Sequence, residues 1–401
     1  MNDASTPPDG SASDDTSDLS GVGDPTSTSA TGDPSPGTSS PGSNGRPVGG
    51  RRKAAKRKSV VRKHWLLASF ALVFALLAGT TGSYLWYLNH QIGNIDRVDA
   101  GIKEVPGEKD NNKPLNILLL GADAGDTQTE SVADDMKDGK WTPFEHRSDT
   151  LMIAHIPADR ESVQLVSIPR DTWVKIDGYP YSNGHGKINA AFAYGGPSLA
   201  RSTVERLTGI HIDHLAIIDW AGFKDLTTAL GGIRVYIPET FYDDKQRITW
   251  ERGWHDLEGQ EALAYVRTRH GLENGDFDRI KRQQNFLRAT MSKLLSGGTT
   301  RNPIKLGKVV GVITRYLTVD DTWSNGEIRD LALSMRSVHT DDVSFLTAPF
   351  GSYGTSADGQ SIVRLAPART KALFSAVSDD DIKRYLEKYP KAQLGNQTSI
   401  N

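Results

Sequence analysis

Between Trp65 and Leu88 the chain carries 24 consecutive residues without a charge, WLLASFALVFALLAGTTGSYLWYL. At 1.5 Å per residue, a helix of that length crosses a hydrocarbon layer of about 30 Å. The stretch is apolar on every face, which a one-sided core helix is not. Just before it, Arg46–His64 holds nine lysines and arginines and no acid. Trp65 at one end, and Tyr84, Trp86 and Tyr87 at the other, stand where the two polar–apolar boundaries of a bilayer would fall. The expectation is a single-pass signal anchor in the cell membrane, with residues 1–64 cytoplasmic and everything after Leu88 outside. A cleaved leader fits less well, because the apolar run is long, its basic flank begins only at Arg46, and no small-residue cleavage site follows closely. The basic flank is expected to contact anionic membrane lipid.

The rest of the chain divides around this span. Residues 1–45 have no lysine or arginine, seven aspartates, and mostly Ser, Thr, Pro and Gly. Such a segment cannot bury enough apolar surface to offset its conformational entropy and is read as a disordered tail. Residues 65–88 are the transmembrane helix, 89–114 a polar stalk, 115–390 the outer domain and 391–401 a flexible C-terminus. There are no cysteines, so the outer domain has neither disulfides nor a thiolate nucleophile or metal ligand. Residues 65–401 carry 38 basic and 42 acidic side chains, a balance that leaves no electrostatic footprint for nucleic acid.

In the outer domain, LNILLLG (115–121) reads as a strand buried on both faces. LMIAHI (151–156), VQLVSIP (163–169) and HLAIID (214–219) are further strands, and IRVYIP (233–238) alternates as a half-buried strand should. Between them, AFAYGG and PSLARSTVERLTG form two helical pieces, Pro197 opening the second and Gly209 closing it. WAGFKDLTTALGG and a long segment from about Phe277 to Leu295 are helices, a late strand covers 344–350, and another helix starts near Pro367. This order predicts an α/β fold, an α/β/α sandwich with a mixed central sheet, preceded by the disordered tail and one transmembrane helix.

The chemistry concentrates between Arg267 and Arg282, where Arg267, Arg269, Arg279, Lys281 and Arg282 fall within 16 residues. Read as a strand, LAYVRTR points Arg267 and Arg269 to one face. Arg279 and Gln283 share a face of the following helix, with Arg279 in its first turn, where free N–H groups already favour an anion. The combination points to a phosphate or pyrophosphate clamp, against the plainer reading of surface ion pairs. Asp123 follows the first buried strand, and Arg147 and Asp149 precede the second. Two carboxylates at strand ends suit Mg²⁺, with Mn²⁺ as the alternative ion, although an aspartate there also commonly caps a turn or helix. Arg170 ends the third strand, Asp171 can pair with it, and Lys187 precedes a helix. There is no phosphate-binding P-loop, no nucleophile elbow and no zinc spacing. Arginines plus acidic ligands without a nucleophile suit transfer of a phosphorylated group to an outside acceptor.

These segments, NILLLGAD, RSDTLMIAHI, VSIPRDTWV, KINAAFAYGG, GGIRVYIP, LEGQEALAYVRTRH and DFDRIKRQQNFL in that order after one transmembrane span, resemble the LytR–CpsA–Psr family over about Leu115–Leu295. The resemblance implies an α/β/α fold with an apolar tunnel for a polyprenyl chain. It also implies a phosphotransferase that moves a glycopolymer from a polyprenyl-pyrophosphate carrier onto peptidoglycan or another cell-wall acceptor. It assigns Asp123 and Asp149 to Mg²⁺, Arg147, Arg170, Arg267, Arg269 and Arg279 to catalysis at the pyrophosphate, and Lys187 and Gln283 to substrate binding. The 25-residue segment between Asp123 and Asp149 is long and acidic for that pattern. A hydrolase using the same site with water as acceptor, and a non-catalytic lipid–glycan binder or regulator, are the competing expectations.

Overall fold

The computed structural model describes residues 58–103, 113–123, 141–268 and 276–400, and for residues 58–70, 123 and 276 the backbone alone. The chain divides into two units, Met1–Leu67 and Ala68–Asn401. The described part of the first is the opening of helix α1 (Lys58–Ile92), whose segment Ala71–Ile92 is long and apolar enough to cross a membrane and has none of its apolar window buried in protein.

The second unit is built on a seven-stranded mixed sheet. Its strands are β1 (Asp96–Val98), β2 (Leu115–Asp123), β3 (Arg147–Ile156), β4 (Val163–Ile168), β5 (His214–Asp219), β6 (Leu317–Asp320) and β7 (Val343–Thr347). They lie in the order β1-β6-β5-β2-β3-β4-β7. β2 runs parallel to β5 and antiparallel to β3, β3 antiparallel to β4, and β4 parallel to β7. The carboxyl ends of β2, β4, β5 and β7 and the amino end of β3 therefore share one sheet edge. Ligands gather outside such an edge in open α/β sheets.

Alternation along the strands fills two cores. Leu118 and Leu120, Leu151 and Ile153, and Val166 and Ile168 face one side, packed against helix α2 (Asn189–Thr208) and the helix Pro367–Ser378. Ile117, Ile156, Leu165 and Phe345 face the other, under Leu287 and Met291 of the long helix α5 (Asp276–Leu295). β2 is thus buried on both faces, as its unbroken apolar run predicts. Leu118 is fully buried at the centre of the first core. Leu118→Ala is expected to destabilise the domain by about 3 kcal/mol, the usual cost of the cavity and lost transfer energy. Urea unfolding checks this, and a change below about 1 kcal/mol would mean that the site collapses around the gap.

Other expectations hold in detail. α2 breaks at Gly195 and Gly196 and resumes at Pro197. Gly196 has φ +69°, and a Cβ there would stand 3.0 Å from the Trp141 ring, so only glycine admits both the turn and the ring. Ile233–Ile237 alternates in burial but pairs antiparallel with Gly253–Leu257 in a separate two-stranded sheet, outside the main sheet. Three readings need correction. LAYVRTR is not a strand: it ends helix α4 (Gly259–Arg267), with Ala262 to Val266 all buried. A short helix buried on every side presents the same unbroken apolar run as a buried strand. Residues 89–114, read as a stalk, contain β1, with Ile95 and Val98 buried. Three strand residues are too few to show a period. Of residues 391–401, read as flexible, the described part to Ile400 is pinned to the sheet by Gln393 against Leu346 and by Leu394 N–H donating to Phe345 O at 2.8 Å, and Ile400 is buried.

The last turns of α1 are also fixed. Tyr84 Oη donates to Pro303 O at 2.8 Å. Gly307 of helix α6 (Pro303–Tyr316) lies so near Tyr87 that a Cβ would touch its ring at 3.4 Å.

Candidate active site

The antiparallel β2–β3 ladder pairs Gly121 with Thr150 and then Ala122 with Ser148. Asp149 is the extra residue of a β-bulge, a device that re-aims a side chain where a ladder ends. Asp123 closes β2 opposite Arg147, so both predicted acids sit at this edge; of Asp123 only the backbone is described.

The β3–β4 register, with Leu151 opposite Ile168, carries forward to place Arg170 across from Asp149. Their side chains form a direct ion pair. Asp171 Oδ2 lies 3.9 Å from Arg170 Nε, and Asp171 Oδ1 accepts from Lys187 Nζ at 3.1 Å. Lys187 ends the strand His185–Lys187, which pairs with Trp173–Lys175. Two carboxylates and two cations are thus held in one chain of contacts, while Arg147 is exposed beside them.

From the other side, α4 and α5 bring three further predicted residues. Gln283 Nε2 donates to Val266 O at 3.3 Å, and its Oε1 accepts from Thr150 Oγ1 at 3.5 Å. This amide ties the residue beside Asp149 to the residue before Arg267. Arg267 closes α4 with its guanidinium 5.5 Å above the Trp220 ring, a cation–π contact just past the end of β5. Arg279, one helical turn before Gln283, is 2% exposed. Gln284 Nε2 locks the helix to the sheet by donating to Ser167 Oγ at 2.8 Å and Leu346 O at 2.6 Å. The structure therefore brings Asp149, Arg170, Lys187, Arg267 and Gln283 to one edge, with Arg147 at the start of β3 on the same edge and Arg279 buried one turn away along α5. Arg269 lies outside the described residues.

Burial shapes the electrostatics behind the site. Arg282, 1% exposed, is sandwiched with its guanidinium carbon 4.7 Å from the Phe241 ring and 4.9 Å from Tyr265, and burial lowers its pKa. At the end of β5, burial pushes the Asp219 carboxyl above the usual carboxylate range, against the N–H groups of Gly222 and Ala221 that it caps at the start of helix α3 (Trp220–Ala229). Sequence reasoning passed over Thr150 and Trp220, each made relevant only by a partner distant in the chain. A separate cavity of about 490 Å³ opens beside Trp173, Leu207 and Phe374.

Among the described residues no three histidines or acids converge on one point. The donor set fits a cation only of the kind that takes one or two carboxylates and completes its shell with phosphate oxygens and water. Asp149 and Asp123 are of that class and share the edge.

The LytR_cpsA_psr family model matches residues 87–377, all seven strands of the sheet and both halves of the cluster. This chain belongs to the LytR_cpsA_psr family. Among its relatives is the cell wall biosynthesis protein LcpA of Corynebacterium glutamicum, 31% identical over 346 residues, which cover 77% of this chain and 64% of LcpA. The chain thus spans less than two thirds of that family member's length. Another member is the polyisoprenyl-teichoic acid–peptidoglycan teichoic acid transferase TagU of Enterococcus faecalis, 33% identical over 267 residues, 66% of this chain and 80% of TagU. Among solved members, B. subtilis TagV superposes with a TM-score of 0.53 at 26% identity, over 68% of this chain and 98% of TagV.

Proposed function

We propose that this protein transfers a glycopolymer, as a phosphoglycosyl group, from a polyprenyl-pyrophosphate carrier to a hydroxyl of the cell wall, with peptidoglycan as the acceptor, on the outer face of the membrane to which α1 anchors it. The observation that carries this reading is the convergence of Asp149, Arg170, Lys187, Arg267 and Gln283 on one sheet edge, with Arg279 one turn away along α5. Family membership and the named activity of TagU support it.

In this reading the cations hold the two phosphates of the carrier and offset the charge that grows on the leaving phosphate. The acceptor oxygen forms a bond to the phosphorus nearest the glycan, and the bond from that phosphorus to the bridging oxygen breaks. Polyprenyl monophosphate leaves, and the hydroxyl proton passes to a base or to the departing phosphate. Asp171, committed to Lys187 and Arg170, positions those cations. Asp149 and Asp123 would hold Mg²⁺, which supplies charge neutralisation at the phosphates.

The test uses the full chain in lipid nanodiscs with a short-chain polyprenyl-pyrophosphate glycan, a peptidoglycan oligomer, and Mg²⁺ or chelator. Joining of glycan to oligomer should depend on the metal and fall by about two to three orders of magnitude in both Arg267→Ala and Asp149→Ala. Release of glycan phosphate without joining would replace the transferase with a hydrolase. Tight donor retention without turnover would make the protein a binder.

A further inference from the structure

Beside the cations lies a group of aromatic rings that the phosphate chemistry does not use. Phe144, Tyr179, Tyr181 and Tyr194 form a continuous set: Phe144–Tyr194 centroids are 6.0 Å apart, Phe144–Tyr181 6.4 Å, Tyr179–Tyr181 5.4 Å and Tyr179–Tyr194 5.5 Å. Tilted and edge-on rings at these separations brace one another. Tyr179 packs partly against the first core, while Phe144, 44% exposed, and Tyr181, 55% exposed, turn their rings to solvent.

The backbone holds these rings out at a cost. Phe144 has φ +74°, an unusual conformation for a bulky side chain, and Ser182 and Asn183, just after Tyr181, have φ +47° and +55°. Strain of this kind persists where the surroundings enforce it, and it clusters at binding sites. The enforcement is visible: Phe144 N–H and Trp141 Nε1 both donate to Ala193 O, at 2.6 and 3.1 Å.

The platform and the phosphate-facing cations sit on the same three pieces of chain. Phe144 is three residues before Arg147. Tyr179 and Tyr181 lie in the loop of the hairpin that ends in Lys187. Tyr194 is on the first part of α2, which begins two residues after Lys187. The exposed face of a single ring is matched chemically by the axial C–H face of a pyranose, whose partial positive charge meets the negative face of the ring. Tyrosine hydroxyls at the rim can exchange hydrogen bonds with sugar hydroxyls. A sugar joined to the bound phosphates carries the anion that Arg147 and Lys187 complement.

We propose that Phe144, Tyr179, Tyr181 and Tyr194 are a saccharide-binding platform that seats pyranose rings next to the phosphate-binding cations. The proposal rests on the transferase reading in one respect, that phosphates bind at Arg170 and Lys187. The sugars come either from the donor polymer or from the acceptor glycan, and the shared chemistry is ring stacking on the platform.

The experiment measures binding to the full chain in nanodiscs by calorimetry with three probes: geranyl diphosphate, geranyl diphosphate carrying one N-acetylhexosamine, and chitotetraose. Tyr181→Ala should weaken the glycosylated diphosphate about tenfold, the loss expected for one ring-sized apolar contact, and leave geranyl diphosphate within about twofold. Tyr181→Trp should restore it. Phe144→Gly keeps the left-handed backbone while removing the ring and should act like Tyr181→Ala. Loss confined to chitotetraose would assign the platform to the acceptor glycan. Equal binding of all three probes by wild type and both ring-deleted variants would overturn the proposal. Failure of wild type to bind either diphosphate would instead overturn the transferase reading, and chitotetraose would still report on the platform.

Discussion

Arg170→Ala should slow transfer by about two to three orders of magnitude, the scale seen when one preorganised charge-stabilising donor is lost. Two features place this among the most damaging single changes at the site. Arg170 is placed by strand register across from Asp149, and it also lies within reach of Asp171, which holds Lys187. In the proposed transferase its removal takes away a phosphate donor and loosens the group that positions a second one. Arg170→Lys keeps a charge, but a compact ammonium cannot serve two carboxylates and a phosphate as a planar fork does, so only about tenfold of the loss should return. Single-turnover rates with a polyprenyl-pyrophosphate glycan and peptidoglycan check both variants, alongside thermal melts. A rate within about twofold of wild type would reduce Arg170 to a structural ion pair.

Asp320→Ala should be the costliest change to stability outside the apolar cores, about 3 kcal/mol, because it breaks a buried charged network. Asp320 is fully buried, accepts from Leu215 N–H at 2.9 Å, lies 3.1 Å from His214 Nδ1, and takes the Thr322 hydroxyl. His214 in turn stacks on Trp323 at 4.4 Å. Burial alone would raise the Asp320 carboxyl, but the hydrogen bond and charge of His214, with Thr322 and Leu215, hold it below the usual carboxylate range. A depressed folded pKa stabilises above the unfolded value of about 3.9 and loses that contribution as pH falls through the folded value. Wild type should therefore melt roughly 5–10 °C above Asp320→Ala near pH 6. The two curves should converge as the pH is taken below about 4. A gap that stays constant down to pH 3 would show that packing, not the carboxylate, carries the difference.

Much of the fold is legible in the chain because its signals are local. The apolar runs of β2 to β5, the Gly-Gly-Pro break in α2 and the uncharged stretch before Leu88 each announce themselves within a dozen or two residues. The site is legible in composition and only partly in arrangement. Arg279 and Gln283 share a helix face, so spacing alone relates them. Arg170 and Asp149 meet because β3 lies antiparallel between β2 and β4, and no local pattern encodes strand order. The bulge that turns Asp149 out of the ladder is likewise a property of two strands together. LAYVRTR misleads for the opposite reason: burial on every side erases the period that separates helix from strand.

The end of α1 carries one more consequence. Tyr84 and Tyr87 are seated on α6, and β1 begins four residues after the helix stops. A domain mounted this rigidly has no swinging arm. For an anchor in the membrane, the sheet edge then travels at one height above the bilayer, and its search is two-dimensional. For the proposed transferase, lipid-borne donors would arrive by sliding in the same plane, and only the stratum of wall level with that edge could be served.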